Sequence, residues 1–213
     1  MSLAKFASVC LVFGLLLSVN QNMSAAPPSV TSIYPAGVQR GQMVKVTLAG
    51  NFPQWPVTVV SSTPALQISP GKDKGQIEIT AAATGSEGLH FLRVVDDGGA
   101  SAPFAFVVGT AAETLEVEPN NSPQAAKLLE LPAVVNGKLQ SGGDSDAFRV
   151  KLNANESIVA MLDARCYLGS PLDAVLQICD DQGFVLVQSH DARARPDPLG
   201  CGIQGEYLVF GFD

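Results

Sequence analysis

The chain has 213 residues, 46% of them hydrophobic, and a formal net charge of −7, which is enough length for one large or two small domains with real cores. The charge is uneven: residues 27–110 carry five basic and five acidic side chains, residues 111–213 seven and fifteen, so the second half alone is net −8. An acidic half repels phosphate backbones, which argues against a nucleic-acid partner and for cations or basic partners, or for plain solubility.

Residues 1–26 read as a leader for export. Lys5 is their only charge, residues 6–19 are almost wholly apolar, and the small residues of "MSAA" place cleavage near Ala25 or Ala26. The apolar run is shorter than the ~20 residues that span a bilayer, so the sequence predicts a secreted, periplasmic or cell-surface protein with no membrane anchor in this chain.

From Val30 onward the hydrophobic period is two. Val44, Val46 and Leu48 alternate with Lys45 and Thr47, and Ile77 and Ile79 alternate with Gln76, Glu78 and Thr80. "PVTVV", "LHFLRVV" and "FAFVV" are further strands, separated by the turn-formers "AGNFP", "SPGKDKG", "ATGSEG" and "DDGGAS". Short strands at this spacing predict a small antiparallel β-sandwich over residues 27–110.

The second domain, residues 111–213, repeats the pattern. "AFRVKL", "SIVAMLDA", "DAVLQICD", "FVLVQS" and "EYLVFGF" read as strands, "DDQG" as a tight hairpin connection and "ARARPDPLG" as a longer loop. Residues 123–131 offer a helical turn or two behind Ser122, a candidate N-cap. The whole mature chain is therefore expected to be all-β, with its domain boundary near residues 109–116. The chain stops at Asp213 inside or just after a strand-like run, as a truncated second domain would.

No catalytic constellation stands out. His90 lies inside a strand pattern, and His190 neighbours Asp191 in a polar loop without a serine or cysteine bearing a nucleophile signature. Metalloprotease, nucleophile-elbow and phosphate-loop motifs are missing. Cys166, Cys179 and Cys201 remain after processing. Their odd number leaves at least one unpaired, and they read either as a strand-bridging disulfide plus a free thiol or as small buried residues. The aromatic residues available to stack on a sugar ring are Tyr34, Tyr167, Tyr207, Phe52 and Trp55. Most lie in or beside strand patterns and read as core, and Phe52 and Trp55 in "GNFPQWP" read as an exposed contact or as loop packing.

One stretch, "EVEPNNSPQAAKLLELP" (residues 116–132), concentrates oxygen. Glu116, Glu118, Asn120 and Asn121 supply four oxygen-bearing side chains within six residues, and "GGDSDAF" later presents Asp144 and Asp146 in a glycine-loosened turn. Calcium takes six to eight oxygen ligands. If the two segments meet, their carboxylates repel unless a cation neutralises them. The pattern reads as a calcium site built from these six residues, or as a domain linker beside an ordinary acidic turn.

These segments, followed by "VVNGKLQSGGDSDAFRVKL", "LGSPLDAVLQICDDQGFVL" and "GEYLVFGFD", resemble in that order the bacterial pre-peptidase C-terminal (PPC) domain. The resemblance implies a jelly-roll-like β-sandwich on a secreted protein. It also implies calcium held through the leading acidic segment (Glu116, Glu118, Asn120, Asn121) and the turn carrying Asp144 and Asp146. Residues 28–109 resemble an immunoglobulin-like IPT/TIG domain, through "PSVTSIYPAGVQRGQMVKVTLAGNF" and "GLHFLRVVDDGGASAPFAFVV". Together they imply a non-catalytic, exported two-module protein for adhesion, scaffolding or substrate targeting, with an extracellular protein or polysaccharide as partner. The alternative is the accessory region of a larger secreted hydrolase, a peptidase, whose active site lies beyond Asp213.

Overall fold

The computed structural model describes residues 25–141, 144–154, 156, 158–164, 168–170 and 175–189. The expected strand at 206–212, His190, Tyr167, Tyr207, Cys166 and Cys201 lie outside these residues, as do residues 1–24 of the expected leader. The described chain is all-β: an immunoglobulin-like sandwich followed by a second β module. Among the described residues no helix is long and apolar enough to cross a membrane.

The sandwich forms because alternation puts one face of each strand in a shared core. Its first sheet contains β1 (Ser29–Tyr34), β3 (Met43–Asn51), β6 (Gln76–Ala81) and β5 (Leu66–Pro70), in that spatial order. The second runs β2 (Gly37–Gln39), β9 (Phe104–Gly109), β7 (Gly88–Asp96), β4 (Thr58–Ser61), with β8 (Gly99–Ala100) folded back on β7. This four-on-four order with crossing connections is the immunoglobulin arrangement. The pairings are antiparallel with one exception: β2 runs parallel to β9, Gly37 opposite Val107. No alternation pattern reports that direction.

Within the first sheet, Val46 lies opposite Ile77 and Val44 opposite Ile79. Val46, Ile77 and Ile79 are sealed in the core with Leu92, Val94 and Phe106 from the facing sheet. On the outer face Lys45 lies opposite Glu78, a 3.7 Å ion pair open to solvent, which is worth little in isolation. His90 is buried, its Nε2 3.0 Å from the Ser86 carbonyl oxygen. Phe52 belongs to the core, and Trp55 meets it edge-on and donates its indole N–H to Gly71 O at 3.2 Å. Of the two readings of this aromatic pair, sugar contact or loop packing, the structure shows loop packing. Gly50 marks the closest crossing of β1 and β3. Its φ is +154°, and a Cβ there would come within 2.0 Å of Ser29 O.

The second module begins without a spacer. β10 (Ala112–Leu115) follows β9 after two residues and pairs in parallel with β12 (Ala133–Asn136). Two further two-strand pieces are β11 (Lys127–Leu128) parallel to β13 (Phe148–Arg149), and β14 (Leu176–Cys179) antiparallel to β15 (Val185–Ser189). Between β14 and β15 the expected hairpin closes on Asp180, whose Oδ1 accepts from the N–H groups of Gln182 and Phe184, each at 2.9 Å. Cys179 is a half-buried free thiol. Two expectations narrow. The helical stretch behind Ser122 is a single turn, with Ala125 and Ala126 N–H groups on Ser122 O, before the chain extends into β11. Of "AFRVKL" only Phe148–Arg149 pairs as strand, and the described part of "SIVAMLDA" makes no ladder.

Truncating a sealed core side chain leaves a cavity that the sheets cannot close. Ile79→Ala is expected to lower unfolding free energy by about 2–5 kcal/mol, whereas the exposed Met43→Ala changes it by less than about 0.5 kcal/mol; denaturant melts of both variants check this.

Candidate cation site at the module joint

The joint is built from the end of β1, the start of β2 and the first strands of the second module. Tyr34 donates its hydroxyl to Asn136 O (3.1 Å), and Ala36 N donates to Asn136 Oδ1 (3.1 Å). Asn136 Nδ2 in turn donates to Glu113 Oε2 at 2.8 Å. Two residues on, Lys138 places Nζ 3.8 Å from the centroid of the Tyr34 ring, a cation–π contact. One short segment of the second module is thereby fastened to the sandwich through backbone, amide and ammonium groups.

Directly beside this clasp, residues 116–121 carry Glu116 and Glu118 along a bent segment outside any strand, which leaves Val117 exposed. Both carboxylates meet the turn at 144–146. Carboxylate oxygens of Glu118, Asp144 and Asp146 all lie within 4.8 Å of one another. The segments are locked together by Ala147 N donating to Asn120 O (2.9 Å) and Asn121 Nδ2 donating to Asp144 Oδ1 (3.0 Å). Glu116 stands to one side and faces Asp146: a Cβ on Gly137 would be 2.7 Å from Glu116 Oε2 and 3.2 Å from Asp146 Oδ2. A side chain at 137 would oblige these carboxylates to shift.

All six sequence-selected residues therefore meet at one place, with unequal parts. Glu118, Asp144 and Asp146 form the cluster, and such a triad of carboxylates can hold a metal ion. Asn121 braces Asp144. Asn120 is buried to 2% exposure, near enough to Asp146 to favour its charged form, yet neither of its amide atoms completes a hydrogen bond. Glu116 Oε2 and Asp146 Oδ1 are likewise buried without a partner. Buried polar atoms left open are uncommon, and here three residues share the condition around one point.

Sequence reasoning missed the donors that hold the acids in place. Glu116 Oε1 accepts from Lys138 N (2.6 Å), Glu118 Oε2 from Asn120 N (2.9 Å), and Asp144 Oδ2 from Gln140 N (2.5 Å). The Gln140 amide also donates to Glu118 Oε1 at 3.2 Å. Backbone donors carry no residue signature.

Electrostatics follow from this crowding. Burial, more than any other cause, raises the Glu116 carboxyl, and the negative charges of Asp146 and Glu118 add to it. The Lys138 N–H opposes the rise, and the group ends at about 7. Asp146 is raised by burial and by the charges of Asp144 and Glu118. The two face each other and favour a shared proton. Tyr34 is also raised, first by burial and then by these two acids.

No protein-family model matches the chain, and no curated protein matches it in sequence. Among solved structures, the gamma-CGTase of alkalophilic Bacillus clarkii is similar over 47% of this chain and 15% of its own, with 18% identity and a TM-score of 0.31. The I67–I69 fragment of the titin I-band covers 38% of this chain and 31% of its own at 16% identity and TM-score 0.26. The InvE adhesin of Yersinia pseudotuberculosis covers 40% and 26% at 20% identity and TM-score 0.27. This chain spans less than a third of each of these three, and the fold assignment above rests on strand order.

Because the folded Glu116 binds its proton more tightly than the unfolded one, its contribution to stability is full below its ordinary value of 4.5 and is lost as pH rises through about 7. With divalent ions chelated, the melting temperature is expected to fall between pH 5 and pH 8 on this account, and Glu116→Gln to flatten that slope, as read by thermal melts across the pH range.

Proposed function

We propose that the chain is a non-catalytic exported protein of two β modules, acting in adhesion, scaffolding or substrate targeting, with calcium at their joint. The observation that carries the reading is the convergence of Glu118, Asp144 and Asp146 within 4.8 Å around the unpartnered, buried Asn120 amide. Three carboxylates and an amide oxygen are the hard oxygen donors calcium takes, whereas zinc prefers sulfur and imidazole. Glu118, Asp144 and Asp146 would hold the ion, Asn120 Oδ1 would add a neutral ligand, and Glu116 and Asn121 would complete or brace the shell. The resemblance of residues 113–213 to the PPC domain supports the same ion, and that of residues 28–109 to an IPT/TIG domain supports a binding or spacing role for the first module.

The ion's work is structural. Ordering a six-residue acidic segment costs roughly 1–2 kcal/mol of backbone entropy per residue, and unpaired carboxylates at this distance add repulsion. A dication offsets both, and it does so next to the residues that clasp Tyr34, so the joint stiffens when it binds. The leader-like residues 1–26 support export to a compartment where calcium is plentiful.

Calcium in hundredfold excess over its dissociation constant is expected to raise unfolding free energy by about 2.7 kcal/mol, seen as a higher melting temperature that chelation reverses. Asp146→Asn and Asp144→Asn should each abolish most of that gain. A melt indifferent to millimolar calcium in the parent chain would remove the reading.

A further inference from the structure

We propose that the β7–β8 turn receives the mature N-terminus: leader removal frees an α-ammonium at residue 26 or 27, and Asp96 becomes its partner. This rests on the leader reading above and concerns a different end of the molecule from the cation site.

Three observations converge on Gly98. First, the chain at the expected cleavage position lies directly on this glycine. A Cβ there would be 2.5 Å from Ala25 O, 2.8 Å from Ala26 O and 3.1 Å from Ala25 C. The next glycine, Gly99, would bring a Cβ to 3.3 Å from Pro27 Cβ. The nitrogen of Ala26 is bonded to Ala25 C, so it sits at about 1.3 Å from an atom already against the turn. Second, Asp96 is oriented toward the same glycine, its Oδ1 accepting from Gly98 N at 2.8 Å. Third, its other oxygen, Oδ2, is buried with no hydrogen-bond partner. The cation on the same strand, Arg93, donates Nη1 to Ser101 O at 2.7 Å.

A carboxylate oxygen withdrawn from water without a donor is costly. Before processing, Ala25, Ala26 and Pro27 bring no charged group to the turn. Hydrolysis by a leader peptidase adds water across the amide after Ala25 or Ala26. The carboxylate leaves with the leader, and the retained nitrogen takes up a proton to become an ammonium, or a secondary ammonium if Pro27 is first. That creates a positive charge with two or three donors at the turn that holds the open Asp96 oxygen. Docking then ties the first residues of the mature chain to the second sheet of the sandwich, and an unprocessed chain has no such charge there. Gly98 and Gly99 leave the room for the backbone to lie flat on the hairpin.

The test uses the exported full chain. Intact-mass analysis of the secreted protein first locates its N-terminus; a start outside residues 26 and 27 overturns the assignment through the leader reading alone. The native mature chain is then compared with one carrying an uncharged Gly-Ser-Gly extension, which moves the ammonium off the turn. The extended chain is expected to melt a few degrees lower. Asp96→Asn keeps the acceptor for Gly98 N but removes the charge. It should lower the native chain's melting temperature and erase the difference between native and extended forms, while Asp97→Asn preserves that difference. Equal melting of native and extended chains, or an extension effect that survives in Asp96→Asn, overturns the proposal. Calcium-dependent stabilisation is measured in the same samples and stands or falls separately.

Discussion

Carboxylates do not gather within 4.8 Å without something to hold them, and the architecture around the joint is arranged as that holding. Three backbone N–H groups, from Asn120, Lys138 and Gln140, each point at a different acid. Charge-assisted bonds of this kind are among the stronger ones available, and they cost no long side-chain entropy because the donors are backbone groups, two of them, from Lys138 and Gln140, on the continuation of β12. What they leave unsatisfied is charge. A proton held between Glu116 and Asp146 answers part of that in acid, and the divalent ion proposed above would answer it more fully near neutrality, in competition with that proton for one place.

The immunoglobulin-like sandwich gives this arrangement a fixed reference. Its core, sealed by Val46, Ile77, Ile79, Leu92, Val94 and Phe106, holds β1 and β2 rigidly, and the corner between them presents Tyr34 and the Ala36 N–H. Asn136 reads both, through its carbonyl and its side-chain oxygen, and then hands its amide to Glu113. Lys138 covers the Tyr34 ring while its own N–H serves Glu116. Residue 138 thus touches the sandwich with one end and the acidic cluster with the other, and a change of charge at Glu116 is felt one side chain away from Tyr34.

Much of this was legible in the sequence for a simple reason. Where one face of a strand is buried and the other is wet, alternation records it, and Val44 to Leu48 and Gln76 to Thr80 record it cleanly. The meeting of residues 116–121 with 144–146 was also visible, since oxygen-bearing side chains at alternate positions and a glycine-loosened aspartate turn are unusual together. Strand direction was not visible, because a parallel and an antiparallel partner demand the same alternation; β2 against β9, β10 against β12 and β11 against β13 are the examples among the described residues. Nor was the division of labour among the six residues, which depends on the Gly137 backbone passing under Glu116 and Asp146. The second module's short ladders were over-read for a related reason: apolar runs such as "SIVAMLDA" signal burial, and pairing needs a partner the local sequence does not specify.

The parallel pairing of β2 with β9 and of β10 with β12 bears on how the chain transmits tension. When the chain is pulled from its two ends, the load enters each of these pairs at the start of the earlier strand and leaves at the finish of the later one. In a parallel pair those points lie at opposite extremities, so the traction runs lengthwise and every cross-strand bond resists together. An antiparallel hairpin such as β14–β15, with its loop at one end and both free strand ends at the other, would peel open bond by bond. The pairs β2–β9 and β10–β12 stand in series along the backbone, one inside the sandwich and one at the joint, and so place the geometry of a mechanical clamp twice in the path of the load.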